Sequence, residues 1–159
     1  NIVFLPFLFG SNADADAKAC FIGLDGWHTR ADVLRAIYEG VVFGHQAHVD
    51  RLRRFRGPFQ SIRLTGGAAR SDVWVQVFAD VFQSPVELPA GTELGALGAA
   101  MVAGIGAGCF ADYRDAVAAM VRVGRVCHPN RDRAELYRQK YRRYRAVLDG
   151  LKSVWKELP

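Results

Sequence analysis

The chain is poor in cysteine, has no long apolar run and contains no low-complexity linker, and each shortage removes a class of protein. Its three cysteines, Cys20, Cys109 and Cys127, are odd in number, far apart and set among small or apolar residues. Neither a disulfide framework nor a zinc site is expected from that pattern, and the thiols read as reduced. No stretch approaches the roughly eighteen consecutive apolar residues of a spanning helix. The opening "NIVFLPFLFG" has neither a basic leader nor the apolar length of a signal peptide. A cytoplasmic protein without a membrane partner is therefore expected. What the sequence does hold is a globular mixture: 159 residues, 50% hydrophobic and 23% charged, enough to bury one sizeable core and to make one domain the default. A net charge of +5 favours anionic partners through long-range attraction. Two stretches carry much of it, "RLRRFR" (51–56) and "YRQKYRRYR" (137–145).

The order of predicted elements is informative. After an apolar, turn-rich opening, the stretch from Thr29 to Phe55 places Val33, Ile37, Val41 and Val42 at helical spacing, with Thr29 as its cap. "SIRLT" (61–65) reads as a short strand, Ser71 opens a helix through Phe82, and "PVEL" (85–88) is a second strand. Such alternation predicts an α/β domain in which helices cover a sheet. The last third shows helical spacing and no strand alternation, so it is expected to be helical throughout.

Two stretches are stripped of side chains. In "LTGGAARSD" (64–72), small residues at the end of a strand let the backbone approach a ligand closely, and the helix start that follows offers N–H groups to an anion. Ser71 can cap that helix and Asp72 suits the positive end of its dipole. A plain tight turn is the competing reading, since glycine pairs are common at strand-to-helix turns. No Walker-type GxxxxGK[ST] is present, so a nucleotide site would be of another design. In "GTELGALGAAMVAGIGAG" (91–108), Thr92 reads as a cap, and Gly95, Ala96, Ala99, Ala100 and Ala103 form a helix face almost without side chains. Helical glycine costs on the order of 1 kcal/mol against alanine, so Gly95 and Gly98 call for a close approach, either in ordinary tight packing or at a moving seam between domains.

At these stretches the sequence resembles the C-terminal, nucleotide-binding lobe of the FGGY carbohydrate kinases. "LTGGAARSDVWVQVFADVFQSPVELP" is similar to the family's adenosine motif and "ELGALGAAMVAG" to its small-residue helix at the junction between lobes. "ACFIGLDGWHTRADVLRAIYE" (19–39) resembles the C-terminal signature through Gly23, Leu24, Asp32, Ala36 and Glu39. The wording of "PFLFGSNADADAKACFIGLDGWHTRADVLRAIYEGV" looks most like the L-xylulose/3-keto-gulonate kinase branch. The resemblance implies an actin-like ATPase (ribonuclease H-like) fold with a mixed sheet flanked by helices, incomplete at its N-terminal side. Residues 1–159 would be a partial C-terminal kinase domain. It further implies transfer of the ATP γ-phosphoryl group to a hydroxyl of a ketopentose such as L-xylulose or D-xylulose. By motif position, the nucleotide would meet the backbone of Gly66, Gly67 and Ala68, with Ser71 near the ribose or adenine edge and Arg70 over the base. The phosphate-binding glycine segment, the aspartate base and the second lobe's glycine-threonine hairpin of the family are not found here, so no catalytic residue is expected in this chain. Mg2+ would be held mainly through the phosphates and the N-terminal lobe of the same protein, the fragment alone would be inactive, and a homodimer could form through surface meant for missing strands.

Other polar residues have plainer readings. His45, His48 and Asp50 lack a well-placed third ligand, and no metal site is expected. Glu39, on an apolar helix face, reads as a buried carboxylate that fixes a neighbouring loop. In the tail, Tyr137, Tyr141, Tyr144, Leu148, Leu151 and Trp155 form one apolar stripe, with Arg138, Arg142, Arg143 and Arg145 largely on other faces. That describes a docked amphipathic helix; the alternative is a nucleic-acid-binding or protein-interaction module using the basic helix, which would need aromatics and basic residues on one exposed surface.

Overall fold

The computed structural model describes residues 2–11, 14–91 and 93–158. The chain divides into two compact units, one of residues 1–59, 80–83 and 129–159 and one of residues 60–79 and 84–128.

In the first unit, β1 (Val3–Leu5) pairs antiparallel with β2 (Cys20–Ile22), Val3 facing Ile22 and Leu5 facing Cys20. The long helix α1 (Arg30–Arg56) begins where predicted. Thr29 Oγ1 accepts a hydrogen bond from the Asp32 N–H, and Asp32 Oδ2 accepts one from the Thr29 N–H at 2.8 Å, a reciprocal cap that satisfies two otherwise orphaned donors. The helix stops at Gly57, which adopts φ +70°, and Arg53, Arg54 and Arg56 sit in its last turn, where the dipole favours cations. Gly40 lets β1 lie directly on α1: a Cβ there would be 2.2 Å from the Phe4 carbonyl oxygen. Two C-terminal helices, which we number α5 (Ala134–Gly150) and α6 (Lys152–Trp155), complete this unit. Its core combines Leu5, Val42 and Phe43 with Tyr137, Tyr144, Leu148 and Trp155, all buried. The Phe43 ring lies 5.5 Å from that of Tyr144 and 5.7 Å from that of Tyr141, and each fully buried large side chain of this kind contributes about 1.5–3 kcal/mol.

Buried charge in this unit is paired. Glu39, 4% exposed, accepts hydrogen bonds from Arg35 Nε at 2.9 Å and from Lys140 Nζ at 2.7 Å to each oxygen. Its partner is therefore α5 and its own helix rather than a loop. Asp80, wholly buried, accepts from the Asn130 N–H at 2.8 Å and from Arg133 Nη1 at 3.4 Å.

The second unit holds a three-stranded mixed sheet in the order β3-β4-β5. β3 (Ile62–Arg63) runs parallel to β4 (Val86–Pro89), and β5 (Val123–Cys127) runs antiparallel to β4. Helices α2 (Asp72–Phe82), α3 (Leu94–Gly106) and α4 (Tyr113–Met120) connect them. α2 carries the regular stripe Val75, Phe78, Ala79 and Phe82, all buried. β5 corrects the expectation of an all-helical last third. Its residues are mostly exposed, so no core-facing alternation marks it in sequence, and ladder hydrogen bonding to β4 is what makes it a strand. Gly124 allows this pairing, since a Cβ there would press to 3.2 Å on the Ala90 backbone.

The small-residue face of α3 is left open by the described residues. Gly95, Ala96, Ala99, Ala100 and Ala103 are exposed, and a Cβ on Gly95 or Gly98 would meet nothing within 4 Å. The close approach anticipated there is not made by any described residue; it is Gly104 that is pressed, with the Phe110 ring 2.8 Å from its Cβ position. The predicted cap Thr92 lies outside the described residues.

Candidate functional site

The parallel pair β3 and β4 sets the geometry. Beyond β3, the Leu64 N–H still bonds the Glu87 carbonyl at 2.9 Å, which carries the chain to the sheet's edge before Thr65 leaves it. Across the pair, Glu87 accepts from Ser61 Oγ at 2.7 Å and from Arg63 Nη2 at 2.9 Å; the Ser61 hydroxyl first, then the Arg63 guanidinium, holds its carboxyl below the usual range.

Gly66 then turns the chain with φ +82° and ψ −159°, a conformation only glycine adopts without strain. Gly67–Arg70 forms a single 3-10 turn, with the Ala69 N–H donating to the Gly66 carbonyl at 3.1 Å. Ser71 caps α2 as predicted: its Oγ accepts from the Trp74 N–H at 3.3 Å. Asp72 in the first turn of α2 pairs with Arg125 Nη2 of β5 at 2.7 Å.

This turn opens onto a cavity of about 420 Å³. Gly66, Gly67 and Arg70 line it, together with Leu64, Thr65 and Ala69. Facing them are Leu88 and Pro89 at the end of β4, Gly91 and Leu94 at the entry to α3, and Gly124 and Arg125 of β5. A Cβ on Gly66, Gly67 or Gly91 would touch nothing within 4 Å. Three of the five predicted contact residues are thus brought to the cavity; Ala68 and Ser71 do not line it, Ser71 being turned to its capping role. The part of the far wall that β5 supplies, Gly124 and Arg125, was not foreseen. Its only sequence mark was the valine-glycine pattern of "VRVGRVC" (121–127), embedded between helical stretches.

Chemically the cavity offers bare backbone, an apolar floor and two guanidinium groups, a set suited to an anionic ligand with a flat or apolar part. Among the described residues no carboxylate lines it, and no group of three or more His, Cys, Asp or Glu is placed to hold a metal ion. Asp50 in particular is turned to Gln46 Nε2 at 2.6 Å and to the Tyr141 hydroxyl at 2.9 Å, while burial and the neighbouring His48 keep His45 below its ordinary pKa. On the C-terminal helix, Tyr137, Tyr144 and Trp155 are buried and are not presented for stacking on bases. No helix among the described residues is long and apolar enough to cross a membrane.

The chain is 41% identical over 153 residues to the L-xylulose/3-keto-L-gulonate kinase of Escherichia coli (strain K12), covering 96% of this chain and 31% of that enzyme. The crystal structure of xylulose kinase from Rhodospirillum rubrum superposes with a TM-score of 0.83 at 36% identity, over 98% of this chain and 31% of that one. That of Plasmodium falciparum glycerol kinase with ADP gives a TM-score of 0.76 at 25% identity, over 93% of this chain and 30% of the other. The chain thus spans about a third of the length of the relatives it matches, and its mixed α/β architecture is that of sugar kinases with the actin-like ATPase fold. Residues 1–107 match the C-terminal domain of the FGGY family of carbohydrate kinases, and the chain belongs to that family.

Proposed function

We propose that these 159 residues act as the C-terminal, ATP-binding lobe of a cytoplasmic sugar kinase, which transfers the γ-phosphoryl group of ATP to a hydroxyl of a ketopentose such as L-xylulose or D-xylulose. The observation that carries the reading is the unfilled backbone of Gly66 and Gly67 facing a 420 Å³ cavity flanked by Arg70 and Arg125. A volume of that order suits a nucleotide. The relatives named as L-xylulose and xylulose kinases, and the neighbour solved with ADP, supply the substrate classes.

In this reading the chain contributes position rather than a reactive group. Backbone at Gly66 and Gly67 takes the ribose and α-phosphate region without steric cost, the apolar end of β4 receives the base, and Arg70 covers it. Ala68 and Ser71 act behind that surface, Ser71 by fixing the start of α2. Phosphoryl transfer depends mainly on alignment and charge stabilisation, so a rigid strand-turn-helix that holds the nucleotide contributes without a base of its own. The sugar site and the base belong to an N-terminal lobe outside these residues. Mg2+ does not fit the side chains of this cavity and is assigned to the phosphates and that lobe.

Two measurements test this. Calorimetric titration with ADP is expected to show one site, weakened about tenfold by Gly67→Val, the order of change that 1.4 kcal/mol produces. A coupled ATPase assay on the full-length protein is expected to show turnover dependent on a ketopentose. No ATP consumption with any sugar would end the kinase reading.

A further inference from the structure

The first unit contains a second cavity of about 440 Å³, lined by the C-terminal halves of α1 and α5 together with Phe7, Ser11 and Lys152. Its floor is apolar and well packed: Tyr144 and Leu148 are buried, and Gly44 and Ala47 of α1 leave the space above them open. Its rim is cationic, with Arg51 and Arg54 from α1, Arg145 from α5 and Lys152. Four cationic side chains face two carboxylates, Asp50 and Asp149, and both carboxylates are already engaged. Asp50 accepts from Gln46 and Tyr141. Asp149 pairs with Lys152 at 2.7 Å, and Lys152 first, then Arg145, holds its carboxyl below the usual range.

No ion pair closes on Arg51 or Arg54 among the described residues. On α5, by contrast, Arg138 and Arg142 are both paired with Glu135. The excess of two positive charges in this cavity therefore faces open space. The cavity draws guanidinium groups from two helices, and guanidiniums bind the oxygens of a phosphate bidentately. Tyrosine and leucine below them suit the C–H face of a sugar or another small carbon skeleton.

We propose that this cavity binds a small phosphate monoester dianion, separately from the Gly66–Gly67 cavity. The inference stands on the first unit alone and does not depend on the kinase reading. A nucleic acid is the less suitable ligand, because these cations line one cavity of about 440 Å³ instead of following an extended surface.

The test is calorimetric titration of the full-length protein with inorganic phosphate, ribose 5-phosphate and ribose, in the presence and absence of ADP. Ribose 5-phosphate is expected to bind at one site that ADP does not displace, inorganic phosphate to bind more weakly, and ribose not at all. R51Q/R145Q is expected to weaken ribose 5-phosphate at least about tenfold with the thermal transition unchanged, and Arg54→Gln alone to weaken it about threefold, in line with charge-assisted hydrogen bonds. These arginines are exposed, so both variants are expected to fold. Absence of phosphate-dependent binding, an affinity unchanged in both variants, full displacement by ADP, or tighter binding of a single-stranded oligonucleotide that expels ribose 5-phosphate would each overturn the proposal.

Discussion

In the first unit a Cβ on Gly40 would lie 2.2 Å from the Phe4 carbonyl oxygen, whereas in the second a Cβ on Gly66, Gly67, Gly95 or Gly98 would meet nothing within 4 Å. The same residue type thus serves opposite ends. At Gly40 the missing side chain is filled by another piece of backbone, which welds the β1 strand to α1. At Gly66 and Gly67 it is filled by no described residue. The first unit also pairs its buried carboxylates at Glu39 and Asp80, while in the second the paired carboxylates Asp72 and Glu87 lie nearer the surface. Packing explains Gly40 and a positive φ explains Gly66; the open space at Gly67 is what the proposed nucleotide site would use.

Substitutions can break this comparison, and the largest effect is expected at Gly40. Gly40→Ala must displace β1 or bend α1, and overpacking of this kind costs about 3 kcal/mol; chemical denaturation should show it, with nucleotide affinity of the remaining folded protein unchanged. Asp80→Ala comes next. It leaves the Asn130 N–H and the Arg133 guanidinium without their buried acceptor, for a loss of about 2 kcal/mol. A wild-type denaturation midpoint in that variant would show the carboxylate to be dispensable.

The second unit should behave in the reverse manner. Gly66→Ala places a Cβ at φ +82° and is expected to cost about 1 kcal/mol through backbone strain alone. Gly67→Ala has neither strain nor a clash and should change stability by less than about 0.5 kcal/mol. Both are expected to weaken ADP in calorimetry by more than their stability change accounts for. A Gly67 variant with unchanged affinity would put that residue on the same footing as an ordinary turn glycine. The smallest effect concerns the cap of α1. The Thr29 hydrogen bonds hold the Asp32 carboxyl below the ordinary aspartate range; being depressed on folding, it stabilises the protein above the unfolded-state pKa, and that contribution is lost as pH falls through the folded value. The stability difference between wild type and D32N should therefore be full at neutral pH and vanish in acid.

Much of the framework was legible in the sequence because it depends on neighbours along the chain. The Thr29 cap, the span of α1, the strand-turn-helix from Ile62 to Phe82 and the capping role of Ser71 all follow from local spacing and hydrogen-bond chemistry. The stripe of Tyr137, Tyr141, Tyr144, Leu148, Leu151 and Trp155 was equally plain from its three-four spacing, and Tyr137, Tyr144, Leu148 and Trp155 of it are buried. β5 was not, because its exposed residues carry no core-facing alternation and its pairing partner β4 lies more than thirty residues away. For the same reason, the part of the cavity wall that β5 supplies, Gly124 and Arg125, was invisible. The partner of Glu39 was misplaced too, since Lys140 is 101 residues distant.

The sequence by itself determined where the helices start, which faces they bury and where the main chain is left bare, because periodicity, capping and glycine's conformational freedom act over a few residues. Only the tertiary structure decided which of those bare positions are closed by neighbouring backbone and which stay open. The clearance around a Cβ position is set by segments remote in sequence, and no local pattern encodes it.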